Sequence, residues 1–207
     1  IAATLGAVSR AALNAVWYQK WPVHLRHRPE SGGGIVHLTK IGKRTTEGQV
    51  DKIVLDSDAV QQSFATYGSY LLSQAFPEGS PAHPAYPTGH GTVGGACITV
   101  LKFFFDGNAA IPNPMVPLPD GSMLHPYTGA DRGRMRVDGE LHKLAHNISF
   151  GHGTHAGIHW RSDTDYSLLL GEAVALDFLQ DQAYTYREDF AVTLTKMDGS
   201  SHTIKNF

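Results

Sequence analysis

Apolar side chains recur at helical spacing in several stretches of the chain. The first stretch covers residues 3–20, with Leu5, Val8, Leu13, Val16 and Trp17 on one side. The same spacing predicts further helices from Asp56 or Ser57 to about Ala75, from Gly91 to Phe105, from near Asp138 to about His152, and from Asp163 or Thr164 to about Tyr184. Ser57 and Thr88 stand where residues that cap helix N-termini are favoured.

The segments between these helices lack that spacing. Residues 28–34 read Arg-Pro-Glu-Ser-Gly-Gly-Gly and predict a loop. Residues 35–55 are mixed, four prolines within 77–90 predict another loop, and 106–137 read as an irregular excursion. Near the end, Phe190–Thr195 alternates and a turn signal at 198–199 follows, which predicts a β-hairpin returning through residues 202–204. The chain is therefore predicted to be mainly α with a small C-terminal hairpin.

Composition narrows the class of protein. The chain has 207 residues, one Cys and a formal net charge of −2, which excludes an internal disulfide framework and gives no sign of a nucleic-acid surface. No apolar run reaches the roughly 20 residues that span a bilayer, so no membrane partner is expected.

We expect 1–207 to form a single catalytic domain. A full bundle needs more helices than the pattern predicts, so we expect it to be the C-terminal part of a longer chain or to need partner chains.

The second of three chemistry-bearing segments runs from His83 to Gly91. Thr88 and Gly89 precede a predicted helix and offer a hydroxyl and free backbone N–H groups, which suit an anion. His90 beside them can serve as a general acid or base near neutral pH. Taken alone, the segment is equally well explained as a helix cap with an incidental His.

The first segment, Lys20–Pro29, adds cations, and the third, Gly151–Asp163, adds a possible ligand. Lys20 and Arg28 face each other across a turn and suit an oxyanion, although alone they could form a solvated basic edge. His159 can ligate a metal or metalloid, with Asp163, four residues on, orienting its ring. Taken alone, this segment is better explained by a satisfied buried histidine.

Together, the order and spacing of the three segments resemble the vanadium-dependent haloperoxidases and the acid phosphatases of the same superfamily. The resemblance rests on Lys20 with Arg28-Pro29, on Pro87-Thr88-Gly89-His90, and on His159 with Asp163. The surrounding sequence is similar to the bromoperoxidase branch in four stretches: Ala75–Pro81, His83–Pro87, Asn147–Gly151 and Leu168–Glu172. The resemblance covers most of residues 15–200 and implies a helical bundle of the haloperoxidase/acid phosphatase type.

The resemblance also implies a cofactor and roles. His159 would bond to the vanadium of a vanadate ion, and its oxygens would be held by Lys20, Arg28, Thr88 and Gly89. His90 would be the acid–base partner, Lys20 would polarise bound peroxide, and His83 matches a second histidine that bromoperoxidases carry. The expected partners are hydrogen peroxide, a halide (bromide foremost) and a small organic acceptor, in a homo-oligomer.

Two alternatives and one departure accompany this expectation. The same pocket in a phosphatase would need no cofactor, since phosphate is then the substrate and His159 the nucleophile; an inactive oxyanion-binding paralogue is the third option.

The superfamily motif has an Arg six residues before the ligand His, where this chain has Gly153 with His152 as its neighbour. Either His152 replaces that Arg after a one-residue insertion, or the site has lost a clamp. We expect weaker vanadate affinity in both cases.

Overall fold

The computed structural model describes residues 1–45 and 50–207 and is mainly helical. Its α-helices are α1 (Ala2–Tyr18), α2 (Pro29–Lys40), α3 (Lys52–Leu55), α4 (Asp58–Tyr67), α5 (Gly89–Phe104), α6 (Val137–Phe150) and α7 (Arg161–Ala183). A π-helical turn follows α1 at Gln19–His24 and another follows α6 at Gly151–His155, and a single 3-10 turn spans Arg132–Arg134. Strands β1 (Met115–Pro117) and β2 (Leu124–Pro126) pair antiparallel, as do β3 (Ala191–Thr195) and β4 (Ser201–Lys205). The predicted class, mainly α with a C-terminal hairpin, is confirmed.

The core lies where α5 and α7 cross, with α1 packed against both and the β3–β4 hairpin closing one end. Its buried members are Val8, Ala12, Ala96, Val100, Ala175, Leu176, Leu179, Ala183, Leu194 and Ile204. Small residues dominate the helical part of this list. The helices therefore approach closely, and their backbones rather than long side chains set the spacing.

Two glycines make the α5–α7 crossing possible. A Cβ added to Gly95 would clash with the Leu168 carbonyl and lie 3.0 Å from the Leu168 Cα. A Cβ at Gly171 would clash with the Thr92 carbonyl and lie 2.7 Å from the Ala96 nitrogen. Because backbone atoms cannot yield as a flexible side chain can, any larger residue at either position would push the two helices apart.

A buried polar group ties the hairpin to the bundle. The Lys102 ammonium on α5 lies 3.1 Å from the His142 Nε2 on α6 and 3.7 Å from a carboxylate oxygen of Glu172 on α7. The same Glu172 oxygen accepts a hydrogen bond of 2.7 Å from the backbone N–H of Met197, in the β3–β4 turn. The ion pair thus joins three helices and the turn.

The loop predicted for residues 28–34 is wrong, because α2 begins at Pro29. Proline is favoured at the first helical position, since its missing N–H would have no intrahelical partner there. The glycines that suggested a loop lie at close contacts: a Cβ on Gly32 would lie 2.9 Å from the Trp160 ring, and one on Gly33 would lie 2.7 Å from the Leu72 Cβ. Tertiary packing offsets their low helix propensity.

Other boundaries were partly predicted. The Ser57 side chain caps α4 as expected, accepting from the Val60 N–H at 3.4 Å, but α4 ends at Tyr67 because Gly68 adopts a left-handed conformation with φ of 66°. The region predicted as mixed, 35–55, includes residues 46–49, which lie outside the described residues. The predicted excursion at 106–137 contains the β1–β2 hairpin. None of the described helices is long and apolar enough to cross a membrane.

Candidate active site

The first and second segments meet at Lys20, which lies in the π-helical turn after α1. Pro22 falls inside that turn, so the interruption predicted from the sequence is a change of helix type. The Lys20 side chain is buried and donates to the carbonyls of Pro84 at 2.6 Å and Ala85 at 3.2 Å. These partners are neutral, so the ammonium charge is left for another group.

Arg28 connects all three segments. It is buried at the start of α2, and its Nε donates to the His83 carbonyl at 3.0 Å while one terminal nitrogen lies 3.0 Å from His83 Nδ1. The other terminal nitrogen donates to the Ile158 carbonyl at 3.0 Å and lies 3.0 Å from His159 Nε2. The guanidinium therefore spans the gap between the second and third segments.

These contacts fix the proton of His159. A guanidinium can only donate, so Nε2 must accept from Arg28 and carry no hydrogen. Nδ1 then bears the proton and donates to the Asp163 carboxylate at 3.2 Å. The pKa of His159 is lowered to about 4, mainly by burial and further by Arg28 and Lys20, against the opposing hydrogen bond to Asp163. His159 is thus neutral near pH 7, with an Nε2 lone pair facing the cationic side of the site.

Two buried cationic side chains, Lys20 and Arg28, make the site electropositive. The pKa of Lys20 is lowered to about 7, first by burial and then by Arg28, although Asp163 opposes the shift. Burial, Lys20 and Arg28 also lower the pKa of His83. A bound anion would relieve the repulsion between these groups, and the arrangement suits an oxyanion for that reason.

Helix α5 begins at the same place. Thr88 is its N-cap residue, as predicted, and its backbone N–H donates to the Asp163 carbonyl at 3.1 Å. The Thr88 hydroxyl oxygen is buried, yet no hydrogen-bond partner for it is found within the described part of the chain. Buried hydroxyls are normally satisfied, so this group has a hydrogen bond to give to a guest. Gly89, the first helical residue, leaves its N–H free of intrahelical partners.

His90 and His152 stack at the edge of this pocket. Their ring centroids are 3.5 Å apart, with the planes inclined by 31°. His90 is exposed on its outer side, but packing of its ring still lowers its pKa; the pKa of His152 is lowered by burial, then by His90 and Arg28. His152 is therefore close to the predicted acid–base residue and within electrostatic reach of Arg28.

The backbone at the position of the absent arginine leaves little space for a side chain. Gly153 is buried, and a Cβ there would lie 3.0 Å from Thr164 Cγ2 and 3.1 Å from His159 Cβ. A long side chain at 153 has no room, whereas the His152 ring already lies against His90. The π-helical turn Gly151–His155 places His152 there. The structure thus places the ring of His152 beside the predicted acid–base residue.

Sequence reasoning missed two neighbours of the site. Arg26 donates to Asp163 at 3.0 Å, and the Trp17 ring lies 5.0 Å from the His83 ring. Arg26 carries a weak signal, since it is a third cation in the first segment. Trp17 carries none beyond its place on the apolar side of α1. Among residues 1–45 and 50–207, no group of three or more His, Cys, Asp or Glu side chains is arranged to hold a metal ion.

Comparisons with known proteins identify the family of the chain. Residues 1–188 match the family model of the VCPO second helical-bundle domain. The chain is 40% identical over 211 residues to the vanadium-dependent bromoperoxidase of Corallina officinalis, covering 94% of this chain and 35% of that protein. It is 37% identical over 197 residues to the vanadium-dependent bromoperoxidase of Ascophyllum nodosum, covering 89% of this chain and 34% of that protein.

A solved structure shows the same fold. The homohexameric structure of the second vanadate-dependent bromoperoxidase (AnII) from Ascophyllum nodosum matches with a TM-score of 0.84 and 29% identity, covering 97% of this chain and 39% of that one. The chain thus spans about a third of the length of the curated relatives it matches. Since the family model covers most of the chain, the protein belongs to the vanadium-dependent haloperoxidase family, in which it corresponds to the VCPO second helical-bundle domain.

Proposed function

We propose that the protein is a vanadate-dependent haloperoxidase that oxidises bromide with hydrogen peroxide, and that residues 1–207 form its catalytic domain. The observation that carries the proposal is the state of His159: neutral, buried, and fixed with an unprotonated Nε2 beside Arg28. An imidazole held this way is ready to bond to vanadium.

The remaining residues fit a tetrahedral oxyanion. The buried Thr88 hydroxyl lacks a partner, and the Gly89 N–H is free at the start of α5. Lys20 and Arg28 bring positive charge to the site. Their side chains donate hydrogen bonds to carbonyls and imidazoles, which are neutral groups. These four residues would hold the vanadate oxygens, with His152 as a weaker fifth contact. Vanadate, when bound, supplies a Lewis acid that activates peroxide toward halide.

The chain's own side chains would handle protons and charge. The pKa of His90 is lowered, so its ring is neutral near pH 7 and can take a proton from an incoming peroxide and return it later. Lys20 would stabilise the negative charge that develops on the oxygens during halide oxidation. His83, hydrogen-bonded to Arg28 and beside the Trp17 ring, would shape the approach of the halide.

The assembly proposed for the full protein is a homo-oligomer. The solved relative from Ascophyllum nodosum is homohexameric. We extend that state to the full-length form of this chain, together with hydrogen peroxide, halide and a small organic acceptor as its reaction partners.

The same His159 geometry favours one further candidate, an acid phosphatase. An unprotonated Nε2 with a carboxylate on the opposite nitrogen is also an activated nucleophile, which could attack phosphorus while His90 protonates the leaving alcohol. In that case the cationic groups would bind phosphate as substrate, and vanadate would inhibit.

One assay separates these functions. The chain is given peroxide, bromide and a phenol dye, with and without added orthovanadate, and separately a phosphate monoester. We expect bromination that depends on vanadate and is lost in His159→Ala, with His125→Ala in strand β2, half-buried and outside the site, as the matched control. Hydrolysis of the ester, inhibited by vanadate, would establish the phosphatase. Silence in both assays from a folded sample would indicate an inactive oxyanion-binding paralogue.

A further inference from the structure

Arg26 lies outside the set of residues proposed to hold the anion, yet its guanidinium contacts Ser162 and Asp163 at the end of the third segment. One terminal nitrogen donates to the Asp163 Oδ1 at 3.0 Å and to the Ser162 hydroxyl at 2.8 Å. The Arg26 side chain is 42% exposed, whereas that of Asp163 is fully buried. The contact therefore differs from an ordinary surface ion pair, in which both partners are hydrated and little is gained.

The second oxygen of the same carboxylate holds the imidazole. Asp163 Oδ2 accepts from His159 Nδ1 at 3.2 Å and from the Trp160 backbone N–H at 2.9 Å. Because a carboxylate is planar and rigid, a partner that fixes Oδ1 also fixes the direction of Oδ2. Arg26 thus limits the rotation of the group that orients His159.

Arg26 is itself held from two sides. Its backbone carbonyl accepts from the Ala85 N–H at 2.9 Å, and its guanidinium carbon lies 5.6 Å from the centre of the Tyr86 ring. Ala85 also presents the carbonyl to which Lys20 donates. Arg26 therefore joins the first segment to the second through its backbone, and to the third through its side chain.

We propose that Arg26 is a positioning residue for His159, acting through Asp163. The inference rests on the proposed function in one respect, namely that His159 is the group that bonds to vanadate. Arg26 would hold the Asp163 carboxylate in the rotation that accepts from Nδ1, and so keep Nε2 aimed at the anion.

The test compares Arg26→Ala and Arg26→Lys with Arg161→Ala as the matched control. Arg161 begins α7 two residues before Asp163, is 81% exposed, and pairs with Asp165 instead. The first measurement needs no vanadate: NMR of the 207-residue chain with isotope-labelled histidine, following the hydrogen-bonded Nδ1 proton of His159. The second is the affinity for orthovanadate by equilibrium dialysis.

For Arg26→Ala we expect the Nδ1 proton signal to be lost to fast exchange with water. The vanadate affinity should fall about tenfold, the lower end of the effect typical of residues behind a ligand. Arg26→Lys should restore part of both, and Arg161→Ala should change neither. In an Asp163→Asn background, Arg26→Ala should cause no further loss of affinity.

Two outcomes would overturn the proposal. One is an unchanged His159 signal in a folded Arg26→Ala sample; the other is an equal loss of affinity with and without Asp163, since Arg26 would then act as a simple surface charge. Should Arg26→Ala fail to fold, Arg26→Gln and Arg26→Lys provide the same comparison. A chain that shows the signal change but never binds vanadate would refute the proposed function and leave the positioning role in place.

Discussion

Binding of an oxyanion should weaken as the pH rises above 7, because Lys20 loses its proton there. The pKa of Lys20 in the unloaded chain is lowered from 10.5 to about 7, mainly by burial. A bound anion favours the charged ammonium and raises that pKa again. Above pH 7, binding must therefore take up a proton, and each unit of pH makes this harder.

The magnitude follows from the fraction of Lys20 that is protonated before binding. That fraction is about one half at pH 7 and roughly one in 100 at pH 9 for a pKa of about 7. The affinity should then fall about 50-fold between these values, the equivalent of about 2.3 kcal/mol.

The lowered pKa of Lys20 also affects the stability of the fold without bound anion. Between pH 7 and 10.5 the unfolded chain binds more protons than the folded one. The contribution of Lys20 to the free energy of unfolding therefore becomes more favourable as the pH rises.

The assay is equilibrium dialysis of orthovanadate against wild-type chain and Lys20→Met at several values of pH. Vanadate changes its own protonation over this range, but it does so equally for both proteins, so the ratio of their affinities isolates Lys20. We expect the affinity of the wild type divided by that of Lys20→Met to fall toward one as the pH approaches 9. The control, Lys143→Met at an exposed position, should behave as wild type. A ratio that stays constant from pH 6 to 9 would refute the reasoning, since Lys20 would then carry the same charge throughout.

Three further changes test the packing and the site. Gly95→Ala should lower the free energy of unfolding, measured in urea, by about 1–3 kcal/mol. The control is Gly94→Ala, where the nearest atom to the added Cβ would be 3.8 Å away. It should leave the free energy of unfolding unchanged or raise it by up to about 1 kcal/mol. Glu172→Ala should cost about 3–5 kcal/mol in the same experiment, because it leaves the Lys102 ammonium buried without its counter-charge; a cost below about 1 kcal/mol would mean that Lys102 is already neutral. His152→Arg should tighten orthovanadate binding by roughly 10- to 100-fold, about 1.5–3 kcal/mol for one added charge-assisted contact; unchanged affinity in dialysis would show that an arginine at 152 does not reach the anion.

The sequence was informative where local chemistry decides the structure. Thr88 and Ser57 occupy N-cap positions as predicted, and the Ser57 side chain makes the capping hydrogen bond, since an N-cap needs only its own turn. The three segments that bear the chemistry were found because each carries its residues at short spacing. The pairing of His159 with Asp163 was also within reach, as both lie one helical turn apart.

Structure that depends on distant partners was not predictable in this way. Helix α2 was missed because the close approach of Trp160 and Leu72, which are far away in the chain, leaves no space for a side chain at Gly32 or Gly33. Arg26 was missed for the same reason, since its carboxylate partner is 137 residues away. The lack of space for a side chain at Gly153 was not predictable either, because it depends on Thr164 and His159 packing against it.

The glycine crossing described for α5 and α7 has a consequence for which anions fit. Thr88 precedes α5, and Asp163 with its histidine partner stands at the start of α7, so the helix spacing sets the distance between these groups. Gly95 lies roughly 9 Å along α5 from Gly89 at 1.5 Å per residue. A methyl group there would clash with the Leu168 carbonyl and displace one helix against the other, and the roughly 0.5 Å tolerance of a preorganised site makes even a small displacement significant. Under the proposed function, Gly95 would therefore influence which oxyanion radius fits without touching the anion.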